Sequence, residues 1–135
     1  MAVNIEQLEA ELPNGFHDAL LRSFSSDPAK RRAEFVLDVW VGDLHSSLES
    51  ERECRRPALL ELLELAYLVT DEPDPRHAAS KGARVQIDAC GPDDNAELAR
   101  QVPAGGFAGR FFVTEWNAFI HFAAREARLT WLEVN

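Results

Sequence analysis

Cysteine, methionine and tyrosine are scarce in this chain: two, one and one among 135 residues. Two cysteines, Cys54 and Cys90, are too few for a disulfide framework and lack the close spacing of a metal motif. Basic residues are also in the minority, 14 Lys and Arg against 23 Asp and Glu, for a net charge of −9. Duplex nucleic acid and anionic membranes both need a cationic footprint, so neither is an expected partner. No apolar run approaches the roughly 20 residues of a membrane span. Glu61 and Glu64 interrupt the richest stretch, Leu59 to Val69. Met1 to Glu11 carries three glutamates and no base, the opposite of a signal peptide. With 46% of residues apolar, disorder is excluded as a class. These features predict a soluble, acidic, cytoplasmic protein of one domain, residues 1–135, with no cofactor.

The chain opens on a helix signal. Asn4 is a cap residue, Gln7 sits three positions on, and Ile5, Leu8 and Leu12 share one face. Pro13 ends the helix and Pro13-Asn14-Gly15 makes a turn. Ala19 to Ser26 alternates weakly, Asp27-Pro28-Ala29-Lys30 is a turn, and Ala33 to Val41 is the clearest strand. Ala33, Phe35, Leu37, Val39 and Val41 line one face of it; Arg32, Glu34, Val36, Asp38 and Trp40 line the other. These runs predict a hairpin. Asp43 to Arg56 is crowded with charge and reads as a solvated loop. Residues 58–70 admit helix or strand, and the compact apolar run after a hairpin favours strand. Asp71 to Pro75 is a stop, Ala83 to Ala89 a strand closed by Gly91-Pro92, and Asp93 to Gly109 a long loop. Phe111 to Val113 restarts the core. Residues 117–134 also admit two forms. One is a helix with a stripe from Trp116 to Trp131. The other is a hairpin turning at Arg125-Glu126, which sets Phe122 opposite Leu129 and Ile120 opposite Trp131. The hairpin is preferred because it matches apolar with apolar, although Arg-Glu suits a two-residue turn poorly.

Few residues suggest chemistry. His17-Asp18 is the most motif-like pair, able in principle to act as a base or to share a metal. Neighbours on an extended chain point to opposite faces, however, and a turn-capping role is the simpler reading. The histidines, His17, His45, His77 and His121, show no helical or strand metal spacing, so no metal site is predicted. His121 reads as a partly buried, hydrogen-bonded residue. Cys54, beside Arg55 and Arg56, lacks a base partner. Gly105 to Arg110 is glycine-rich without the Gly-Lys-Ser/Thr of a phosphate loop, and no serine-nucleophile elbow is present. No catalytic residue is therefore assigned. What remains is acidity. Residues 1–70 carry a net −6, and Glu34 and Asp38 share a strand face with Trp40. An aromatic anchor among carboxylates is a candidate binding patch for a protein with a basic surface. The alternative is a small-molecule or enzymatic pocket in which His17, Asp18 and His121 converge.

Leu12-Pro13-Asn14-Gly15-Phe16-His17-Asp18-Ala19, with Val39-Trp40-Val41-Gly42-Asp43 and Trp116-Asn117-Ala118-Phe119-Ile120-His121, resembles a pattern in a group of small uncharacterised bacterial proteins. Its opening is loosely similar to that of β-rich immunity proteins from toxin–immunity systems. The resemblance implies a small antiparallel β fold and a binding role without catalysis, and it carries over no catalytic residue. The fold expected is mainly β: an antiparallel twisted sheet, sandwich or partly open barrel of about six or seven strands with a short N-terminal helix.

Overall fold

The protein, seen in a computed structural model, is described over residues 3–73, 85–93 and 96–132. His77, the start of the 83–89 strand and the chain end at Val134 lie outside the described residues. Helix α1 (Ile5–Glu11) begins where its cap dictates. The Gln7 N–H donates to Asn4 Oδ1, and the Asn4 N–H donates to Gln7 Oε1, both at 2.8 Å. This reciprocal box satisfies two helix-end donors. Ile5 is buried, and Leu8 and Leu12 pack against the core.

Strands β1 (Ala19–Asp27) and β2 (Arg32–Trp40) form the expected hairpin, with Phe24 opposite Phe35. Asp27 Oδ1 accepts from the backbone N–H of Ala29 and of Lys30, at 3.0 and 3.3 Å, and so shapes the turn. Ala33, Phe35, Leu37 and Val39 are buried, while the residues between them are half-buried. That alternation is the sequence pattern made physical.

A short helix, α2 (Glu49–Arg52), precedes β3 (Arg55–Leu63) and β4 (Tyr67–Thr70). The charged stretch 43–56 is thus not wholly loop: it contains α2 and the start of β3. The strand reading of 58–70 holds, broken at Glu64, whose φ of 52° turns the chain. Then follow β5 (Gln86–Pro92), α3 (Ala96–Ala99), β6 (Phe107–Val113), one 3-10 turn (Thr114–Trp116), β7 (Ala118–Ala124) and β8 (Glu126–Trp131). Gly91 and Pro92 belong to β5 instead of closing it, and the 93–109 stretch holds α3 and the first residues of β6.

Residues 118–131 are strands, but they do not pair with each other. β7 pairs with β6 and β4, setting Phe122 opposite Gly109 and Leu68, whereas β8 pairs with β3, setting Leu129 opposite Leu60. The physical reason is the join. Only Arg125 separates the two strands, too little for a hairpin loop, so the chain turns a corner into a new ladder.

Among the described residues the architecture is mainly β, one antiparallel sheet of eight strands in the order β4-β7-β6-β5-β1-β2-β3-β8, not a closed barrel. The sheet nevertheless curls onto itself. β2 and β6 are separated by β1 and β5 in the sheet, yet the Phe35 and Phe111 rings lie 5.5 Å apart, edge to face. Phe122 stands 5.0 Å from Phe111 and 6.1 Å from Phe35, and Phe16 joins them 5.5 Å from Phe111. Arg125 N donates to Leu63 O and Ala66 N to Ala123 O, stitching β3–β8 to β4–β7 at the corner. Four fully buried phenylalanines fill the inside of this curl. Function must therefore be carried by the outer surface and the rims.

Candidate functional site

The rim beside the Pro13–Asp18 turn gathers the chemistry-bearing side chains. Gly15 and Asp18 both take positive φ, 61° in each case, and an aspartate tolerates that conformation better than most residues. The turn is anchored on both sides. Asn14 Nδ2 donates to Trp40 O and Gly42 O, at 3.3 and 3.0 Å, and the Asp18 N–H donates to Ile87 O at 2.8 Å. The chain at His17-Asp18 is therefore not extended, contrary to the expectation of opposed side chains. Instead His17 Nε2 stands 3.4 Å from Asp18 Oδ2. His17 Nδ1 lies 2.5 Å from Asp88 O, and Gln86 Nε2 donates to Asp18 Oδ1 at 2.5 Å. Asp18 thus accepts from a side-chain amide, where turn capping would have supplied a backbone N–H.

His121 lies elsewhere. It is buried on β7, with Nε2 2.9 Å from Asp71 Oδ1 and Nδ1 3.2 Å from Asp93 Oδ1. The Tyr67 hydroxyl donates to Asp93 Oδ2 at 3.1 Å. Burial first, then the Asp93 charge and this bond, push the Tyr67 phenol up to about 12. The Phe119 N–H donates to Asp71 Oδ2 at 3.1 Å. His121 is the buried, hydrogen-bonded residue that the sequence suggests, and both its ring nitrogens are occupied. Asp88 lies within β5 and Asp93 just beyond its end, roughly 16 Å apart at 3.3 Å per strand residue. The structure brings His17 and Asp18 together and leaves His121 with different partners, so the three do not share one pocket.

Nor do Glu34, Asp38 and Trp40 form an acidic patch. Asp38 pairs with Arg22, and Glu34 Oε1 is 3.6 Å from Arg32 Nε. Arg32 also pairs with the buried Glu61. A bulge in β1 between Leu21 and Ser23 brings Arg22 to this face, a feature that alternation alone does not reveal. Trp40 is half-buried, and its indole N–H donates to Arg52 O at 2.7 Å. It ties down the loop between β2 and β3.

That loop is the second feature of this rim. The Val41 N–H donates to Cys54 O at 2.9 Å, Asp43 N–H to Glu51 O at 3.0 Å, and an Arg52 guanidinium N–H to Ser46 O at 3.0 Å. Gly42 packs so closely that a Cβ there would lie 1.8 Å from Arg52 O. On this fixed frame Leu44 is 64% exposed and Leu48 56% exposed. The same segment carries Asp43, Glu49, Glu51 and Glu53, and Arg52, Glu53 and Arg55 lie beside Leu44. Among the described residues, neither Glu49 nor Glu53 forms an ion pair. Sequence reasoning missed both leucines because the surrounding charge marks the segment as solvated.

Cys54 is exposed and Cys90 half-buried, both as free thiols. Burial, then the nearby Glu9 and Glu6, pushes the Cys90 thiol well above its ordinary range. Among the described residues no helix is long and apolar enough to cross a membrane. No family model matches this chain, and neither a curated protein nor a solved structure matches it.

Proposed function

We propose that this chain is a non-enzymatic binding module, immunity-like in acting by capture of a protein with a basic surface in the bacterial cytoplasm. Its contact element is the 41–54 loop. The observation that carries this reading is the pair of leucines held out in solvent on a braced loop. Exposed leucines lose their favourable burial, and a loop already ordered loses little further entropy on binding. The carboxylates of the loop segment supply long-range attraction to a cationic partner, and the net charge of −9 adds to it. The β-rich fold and the resemblance of the Leu12–Ala19 opening to immunity proteins support the same role. The earlier candidate face of Glu34, Asp38 and Trp40 serves this reading indirectly, since Trp40 braces the loop.

The test is capture from lysate of the source organism, comparing the native chain with Leu44→Ser/Leu48→Ser. The expected result is a basic protein retained by the native chain and lost with the double variant. Glu49→Gln/Glu53→Gln should slow its association, and salt near 0.15 M, with a screening length of about 8 Å, should do the same. Equal capture by the leucine variant, or an acidic partner, overturns the proposal.

A further inference from the structure

Asp88 is the extra residue of a β-bulge. The β5–β6 register slips between Ile87 and Ala89, opposite Val113 and Phe112, and leaves Asp88 between them. Bulges re-aim the residue they carry. Here the Asp88 carbonyl faces His17 Nδ1 at 2.5 Å, and its carboxylate approaches the His17–Asp18 pair. We propose that His17, Asp18 and Asp88 form a three-ligand site for a divalent transition-metal ion, with Zn²⁺ as the best match.

Three features support the assignment. The first is tautomer control. A ring whose Nδ1–H donates to a carbonyl presents its Nε2 lone pair outward, the arrangement that second-shell carbonyls impose on metal-bound histidines. The second is spacing. Ligands about 2.1 Å from a tetrahedral ion stand about 3.4 Å apart. His17 Nε2 and Asp18 Oδ2 are 3.4 Å apart, and each of the three residues offers an atom within 4.8 Å of the other two. The third is orientation of the carboxylate: Gln86 holds Asp18 Oδ1 and leaves Oδ2 for the ion. Without an ion the same contact is a partly exposed His–Asp pair in water, which contributes little to stability.

The chemistry of the donors selects the ion. One imidazole nitrogen and two carboxylates suit Zn²⁺ and its neighbours, whereas Mg²⁺ and Ca²⁺ prefer all-oxygen sets. Beside the ligands lies an open cleft of about 380 Å³ lined by Glu9, Asn14, Gly15, His17, Asp88 and Cys90. It gives solvent or a ligand access to the fourth position. Cys90 lines the cleft but is not among the three residues whose ligand atoms lie together.

The experiment is calorimetric titration of the chelator-treated full chain with Zn²⁺, with Mg²⁺ titrated in parallel. The expected result is one saturable equivalent of Zn²⁺. Affinity should fall more than about tenfold in His17→Ala and in Asp88→Asn, and about tenfold in Gln86→Leu through the outer shell. Cys54→Ser and His45→Ala, at an exposed thiol and an exposed imidazole, should leave it unchanged. Zn²⁺ should also raise the melting temperature of the native chain and not that of His17→Ala, which reads binding separately from folding. Absence of saturable binding overturns the proposal. So does binding unchanged in His17→Ala, or Mg²⁺ binding as tightly as Zn²⁺.

Discussion

Two histidines, each facing carboxylates, stand beside different parts of β5, His17 at Asp88 within the strand and His121 at Asp93 just beyond it, and they differ in what is left open. His121 is 6% exposed, and each ring nitrogen faces a carboxylate, Asp71 on one side and Asp93 on the other. The Asp93 side chain is 1% exposed and also holds the Tyr67 hydroxyl. Every polar atom named there has a partner, so the cluster works as a clamp joining β7 to the segments after β4 and β5. His17 is more than half exposed, one nitrogen meets a backbone carbonyl, and the other stands 3.4 Å from Asp18 Oδ2. The same residue types thus give a closed structural cluster in one place and an open one in the other. Burial and saturation distinguish them, and sequence composition does not.

Both histidine clusters rest on the same buried core, and the largest expected effect tests that core. Phe35→Ala removes a ring packed on Phe24, Phe111 and Phe122 and should cost roughly 3–5 kcal/mol in denaturant unfolding. A loss under about 1 kcal/mol would mean that the curl of the sheet is not held by this cluster.

Tyr67 comes next, within the closed cluster. It is the chain's one tyrosine, so tyrosinate absorbance reads it alone. Its folded value of about 12 lies above the ordinary 10, so the folded chain holds the phenol proton more tightly than the unfolded chain. That contribution to stability is complete below about pH 10 and fades as pH rises toward 12. Tyr67→Phe should abolish this alkaline component and cost about 1.5 kcal/mol or more, since the lost bond is to a charged acceptor. Titration at the ordinary value would remove Tyr67 from the cluster.

The smallest effect is a rate contrast. Near neutral pH the exposed Cys54 should react with a thiol reagent at once, while Cys90 reacts slowly until the chain is unfolded. Equal rates in the folded protein would show the rim beside His17 to be looser than described.

The sequence carried the local elements well, because each rests on a period or a cap: Asn4 and Gln7 for α1, the Phe35-Leu37-Val39 face for β2, the Asp27 turn between β1 and β2. What it did not carry depends on long-range pairing. The corner at Arg125 sends two strands into different ladders, and side-chain matching between Phe122 and Leu129 cannot foresee that. The bulges at Arg22 and Asp88 are one-residue slips without a pattern of their own. One moves an arginine onto the supposed acidic face, and the other completes the His17 cluster. Asp71 and Asp93 meet His121 only through tertiary folding. Leu44 and Leu48 were hidden by surrounding charge.

The most direct test of the contrast is to make one substitution in both clusters, His121→Ala and His17→Ala, and compare unfolding free energies without added metal. Removing His121 takes a hydrogen-bond partner from the buried Asp93 carboxylate and from Asp71 and should cost about 1–3 kcal/mol. Removing the exposed His17 should change stability by less than about 0.5 kcal/mol. Similar losses at the two positions, or the greater loss at His17, would contradict the division into a closed structural cluster and an open binding one.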